Sequence, residues 1–153
     1  MANASVTARS LAADLIGTWE LVAREDHTPS GELRIDPSLG ADPVALLIYD
    51  RGGHFAAQFM KRNRSGTETD ITTTGPNNSR ARAGYDAYFG TYTVDDANGT
   101  VTQCLTGALS PENVGQVLTR AMQVAEDELT IRLETATPTG EPIVRSLRWR
   151  RVG

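Results

Sequence analysis

Four side chains in this sequence have the chemistry to move a proton or to hold developing charge: His54, Asp86, Tyr88 and Arg120. His54 opens an apolar stretch beside Gly53, and an imidazole titrates near neutral pH. Asp86 lies between Tyr85 and Tyr88. If it faces the mouth of a cavity, it is an acid or base whose usefulness depends on burial raising its pKa. Arg120 alternates with Leu118 and Met122, so in a strand it shares their face. A buried guanidinium then needs a carboxylate partner or an anionic ligand. A second group suits ligand contacts: Tyr49, Gln58, Tyr92, Gln103 and Arg145. Arg145 alternates with Leu147 and Trp149. Tyr88 and Tyr92 share a face with Gly90 between them, which leaves room for a neighbour or a ligand. Gln58 belongs to the set His54, Ala56, Gln58 and Met60, and the opposite set is Phe55, Ala57, Phe59 and Lys61. The pattern admits either set as the inner one.

Other chemistries lack their residues. The two histidines, His27 and His54, are far apart in sequence, and no Cys/His cluster has zinc spacing. There is no phosphate-binding glycine loop, dinucleotide fingerprint, G-x-S-x-G elbow or H-E-x-x-H. Cys104 has neither a nearby histidine nor a helix start to activate it. The expected chemistry therefore uses no cofactor and no metal.

The elements that must position these residues read as strands. Apolar positions alternate at 15–23, 44–50, 54–62, 87–95, 99–107, 114–125, 128–135 and 143–152. In the first of these the odd positions, from Leu15 through Trp19 to Ala23, make the better inner face. R-G-G after Asp50 and N-G at 98–99 are hairpin turns. Leu11 to Leu15 suits a short helical turn, GELRI a short strand, and Arg80 to Tyr88 another helical turn. Residues 63–83 have few apolar anchors and read as a loop that covers or borders an opening, or simply moves. Short links exclude the crossovers that parallel strands need. Eight antiparallel strands can close into a barrel, although a sandwich fits the same pattern. Residues 1–10 read as a flexible tail and 11–153 as one domain.

L-I-G-T-W-E-L-V at 15–22, P-V-A-L-L-I-Y-D-R-G-G-H-F-A-A-Q-F-M-K-R at 43–62, Y-F-G-T-Y-T-V-D at 88–95 and R-S-L-R-W-R-R-V at 145–152 together resemble the lipocalin-like domain family. The resemblance implies an all-β, eight-stranded antiparallel calycin barrel with a short helical segment. It implies structural roles for Gly17, Trp19 and Trp149, with Arg145 or Arg148 packed over Trp19 through a cation–π contact. The family's usual histidine in the strand equivalent to VTQCL is replaced here by Gln103 and Cys104, and Asn113 stands where an aromatic is usual. Histidine chemistry is therefore not carried over.

Barrels of this kind bind hydrophobic metabolites, and some in natural-product pathways act as cyclases or isomerases. The resemblance thus implies a cofactor-free isomerase or cyclase acting on a small, partly apolar metabolite in the lumen; the alternative is a non-catalytic small-molecule-binding barrel. Net charge is −4, from 15 basic and 19 acidic residues, which does not suit nucleic acid. One cysteine excludes an internal disulfide. No signal-peptide core or membrane-spanning run appears. The expected setting is cytoplasmic, without a membrane partner, with a homodimer through an outer sheet face as a common arrangement.

Overall fold

A computed structural model describes residues 10–70 and 73–153. All but one residue of the expected tail lies outside them. The exception, Ser10, accepts from the Ala13 N–H and caps helix α1 (Leu11–Leu15). Nine strands follow: β1 (Gly17–His27), β2 (Leu33–Arg34), β3 (Val44–Tyr49), β4 (His54–Met60), β5 (Tyr85–Asp95), β6 (Thr100–Ala108), β7 (Val117–Ala125), β8 (Glu128–Ala136) and β9 (Pro142–Arg151). A single turn of 3-10 helix, Pro111–Asn113, precedes β7.

From β3 to β9 each strand pairs antiparallel with the next, β3 pairs with β1, and β9 returns to pair with β1. The eight long strands thus close into a calycin-like barrel, and β2 is a short addition beside the end of β1. Closure leaves no long edge open. The more apolar faces point inward: Phe55, Ala57 and Phe59 from β4, Leu118 and Met122 from β7, and Leu129, Ile131 and Leu133 from β8. That settles the open choice on β4. His54, Ala56, Gln58 and Met60 face outward.

Three local expectations are corrected. Leu15 ends α1 instead of beginning β1, because the helix needs it as a lid over the closed end. Arg80 to Tyr88 contains no helical turn; Ala83 and Gly84 make a tight reversal and β5 begins at Tyr85. Gly90 leaves no room for a ligand, because a Cβ there would overlap the Cys104 carbonyl of β6. Its space belongs to the neighbouring strand, which carries a bulge at this level.

The closed end is built around Trp19. Its indole Nε1 donates to the Leu15 carbonyl at 2.9 Å. Arg151, and neither Arg145 nor Arg148, stacks over the ring at 4.3 Å. Strand direction explains the choice: Arg151 lies directly opposite Trp19, whereas Arg145 sits at the other end of β9 and Arg148 faces outward. The same guanidinium donates to the carbonyls of Ile16 and Asp14 at 2.8 and 2.6 Å. It also donates to Asp127 at 3.3 Å, so replacing it with alanine removes three charge-assisted bonds and the cation–π contact. Arg151→Ala is expected to lower unfolding free energy by about 2–4 kcal/mol in urea denaturation; a loss below about 0.5 kcal/mol would show that the contact contributes nothing.

Candidate functional site

The opposite end of the barrel carries the chemistry. Here the links 28–43, 61–70, 73–84, 109–116 and 137–141 meet. The 73–81 segment is tied across the opening. Asn77 donates to the Thr119 carbonyl and accepts its N–H, so one side chain substitutes for a ladder partner of β7. Thr135 donates to the Pro76 carbonyl at 2.8 Å, and Thr73 to that of Pro138. Asn113 accepts from the Arg80 N–H and donates to the Arg80 carbonyl, which Ser110 also bonds. Gly75 is required here because a Cβ would collide with Thr135. The segment therefore covers and borders the opening.

Beneath it lies a cavity of about 70 Å³, enough for several waters at roughly 10–15 Å³ each. Phe59, Leu133 and Trp149 are among its apolar walls, and Arg24, Asp36, Arg80, Asp86, Tyr88, Arg120 and Arg145 are among its polar ones.

Four of the charged groups form one network. Arg145 makes a two-pronged bond to Asp26 at 2.8 and 3.1 Å. Arg24 donates to Asp36 at 2.9 Å, and Arg145 also reaches Asp36 at 3.5 Å. Burial alone would raise the Asp36 pKa, but the charges of Arg24 and Arg145 outweigh it and hold the carboxyl at about 2. Burial likewise opposes the charge on Arg145, and the bond to Asp26 overcomes it, so its pKa rises.

Arg120 and Asp86 lack such partners. Arg120 is 7% exposed and donates only to its neighbour's carbonyl, Thr119 O, at 3.3 Å. Among the described residues no carboxylate lies within 4.0 Å of it. Desolvation lowers its pKa. Asp86 is 4% exposed; Oδ2 accepts from Ser79 at 2.6 Å, while buried Oδ1 has no partner. Burial raises its pKa to about 7, with the Ser79 bond and Arg24 acting against that rise. Tyr88 stands two residues along the same face; burial and then the Asp86 charge push its phenol up to about 12, while Arg120 pulls it down. The buried Trp149 indole N–H also donates to nothing.

The expected site residues divide into two groups. Asp86, Tyr88, Gln103, Arg120 and Arg145 come together at the cavity. Tyr49 is buried below it, accepting from Gln103 at 2.6 Å and contacting the Met122 sulfur at 3.8 Å. His54 is displaced to the outside of the closed end, near Asp50 at 3.7 Å, because Phe55 takes the inward position. Gln58 is outward for the same parity reason and accepts from Tyr85 at 2.5 Å. Tyr92 faces the closed end, where its hydroxyl donates to the Asp50 carbonyl and its ring meets Tyr49 edge-on. Gly17, Trp19 and Trp149 lie where a structural role requires, but Trp149 also borders the cavity.

The geometry is that of a closed β-barrel with a polar, partly apolar-walled lumen open toward one end. The model of the lipocalin-like domain family matches residues 16–152. The chain belongs to that family. A comparison with curated proteins gave no match. Among the described residues of this lipocalin-like protein, no group of three or more His, Cys, Asp or Glu stands where it could hold a metal ion.

Arg24, Asp26, Asp36, Ser79 and the Trp149 N–H are absent from the sequence-based site. The reason for the first two is local. Arg148 pairs with Ala23 but Trp149 pairs with Leu21, so Val22 is an extra residue in β1. Trp19 and Leu21 face inward before it, and Arg24 and Asp26 after it. The only sequence signal is the spacing of Arg24 and Asp26 themselves, and strict alternation from Trp19 assigns them to the outside.

Asp86 couples stability to pH. Its folded pKa of about 7 exceeds the ordinary carboxyl value. Between those values the folded chain holds a proton that the unfolded chain has lost, so stability falls as pH rises. Asp86→Asn cannot ionise. Its unfolding free energy is expected to gain on the native protein by a few kcal/mol from about pH 5 to about pH 8. Parallel stability curves for the two proteins would contradict the raised pKa.

Proposed function

We propose that this lipocalin-like protein binds a small, partly apolar organic molecule in its lumen through an oxyanion paired with Arg120. One observation carries the reading: a buried guanidinium faces the cavity with no counter-charge. Four guanidinium groups border the lumen; Arg80 is paired with Glu112, Arg24 with Asp36 and Arg145 with Asp26, so with Asp86 protonated the charge of Arg120 is left over. An anion returns the balance to neutral, and the apolar walls take the rest of the molecule. This is the non-catalytic binding function expected as the alternative from the sequence.

A cofactor-free isomerase or cyclase is the second reading, favoured by Asp86. A carboxyl that is half ionised near neutral pH can both accept and return a proton.

The binding reading is tested by titrating the protein with propionate and isobutyrate, acids of a size the cavity can take, and following tryptophan fluorescence, alongside the uncharged amides of both acids. The acids are expected to bind more tightly than the amides. Arg120→Met should weaken them by about tenfold or more, the value of one charge-assisted bond. The same variant is expected to be as stable as the native protein or more so, because it removes an unpaired buried charge. Equal affinity for acids and amides, or a variant that binds the acids unchanged, would refute the proposal.

A further inference from the structure

We propose that the lumen takes an enolisable carbonyl compound and exchanges one of its carbon-bound protons through Asp86, with Arg120 and Tyr88 holding the enolate oxygen. The proposal rests on the lumen-binding reading above and names the substrate class and the reaction.

Apart from Asp86 Oδ1, the unpaired hydrogen-bonding capacity that the cavity shows is in donors. Arg120 has five N–H donors and a single carbonyl acceptor. Trp149 presents a buried N–H with no acceptor. The carboxylates Asp26 and Asp36 are already saturated by Arg145 and Arg24. Buried donors without acceptors are costly, so the fitting ligand brings acceptors. A ketone or ester in an apolar frame fits, with its carbonyl oxygen against Arg120.

The one group able to take a proton is Asp86. Its Oδ1 is buried and unpartnered, while Ser79 fixes the carboxyl through Oδ2. Asp86 and Tyr88 lie on one face of β5, two residues apart, so their Cα atoms are separated by about 6–7 Å. Arg120 reaches the same cavity from β7. A carbonyl held at Arg120 and Tyr88 can therefore present its α-carbon to Asp86.

The step balances without an oxidant or a cofactor. The Asp86 carboxylate takes a proton from the α-carbon. The C–H electron pair becomes the C=C bond, and the carbonyl π pair moves onto oxygen, where Arg120 meets the charge. Asp86, now protonated, trades that proton with water in the cavity and delivers a solvent proton to the same carbon, giving exchange, or it passes the proton to a conjugated carbon, giving double-bond isomerisation. Half-ionisation near neutral pH supplies both forms of the carboxyl.

The test uses acetone, butanone and cyclobutanone in D₂O with the full-length protein. Loss of α-proton signals is followed by NMR, and binding by tryptophan fluorescence. Exchange of at least one ketone is expected to exceed the buffer rate by about 100-fold or more, the usual scale of a positioned base. Asp86→Asn should return exchange to background while the ketone still binds. Asp86→Glu should recover part of the rate, and the rate should rise with pH through about 7. Arg120→Met should lower the rate with the pH midpoint kept. Ketones that bind but exchange only at the buffer rate would overturn the inference and leave the binding reading intact. An Asp86→Asn variant that exchanges ketone protons as fast as the native protein would overturn it too. If neither the ketones nor the carboxylic acids bind, both proposals fall.

Discussion

The ladder between β9 and β1 is the constraint on which the rest of the structure depends. It closes the barrel, and its single extra residue in β1 changes which side chains face inward. Below the bulge the strand contributes Trp19 and Leu21 to an apolar closed end. Above it the same strand contributes Arg24 and Asp26 to the mouth. Arg145 lies directly opposite Asp26, so strand pairing itself sets the two-pronged bond. One irregularity thereby divides a single strand into a structural half and a polar half.

Burying charge in a barrel core is unfavourable unless each charge finds a partner. This lumen follows that rule at one wall and departs from it at another. Arg24, Arg145, Asp26 and Asp36 satisfy one another, and Asp36 carries the 35–40 loop to the mouth along with its charge. Arg120 and Asp86 remain unsatisfied across the same cavity. A folded chain keeps such groups where the missing partner comes from elsewhere, since local rules tend to be broken at functional sites. The paired network thus gives the mouth its shape, and the unpaired residues are the ones on which the proposed binding reading rests.

The covering segment completes this arrangement without regular structure of its own. Asn77, Pro76, Thr73 and Arg80 are tied to β7, β8, the β8–β9 link and the β6–β7 link. The ties use backbone carbonyls and short polar side chains, which is why the segment needs few apolar anchors. Ser79 brings one of its side chains directly onto Asp86. Covering the mouth and burying the carboxyl are therefore one structural event, and the raised pKa of Asp86 follows from it.

The sequence by itself determined the strands and their antiparallel order, because period-two alternation and short links leave few topologies; the pattern also fitted a sandwich, and closure into a barrel was implied by the family resemblance and made by the β9–β1 ladder. It also singled out Asp86, Tyr88, Gln103, Arg120 and Arg145, each of which sits on an apolar face that burial turns inward. It could not choose the inner face of β4, since one residue of slippage reverses every side chain. The tertiary structure made that choice by burying Phe55 and Phe59, which moved His54 and Gln58 outside. Nor could the sequence reveal Arg24 and Asp26 as lumen residues, because the bulge that turns them is set by pairing with β9. The partners of Asp36 and Ser79 lie on strands distant in the chain. Local pattern fixed which residues alternate; only closure decided which charges meet and which are left without a partner.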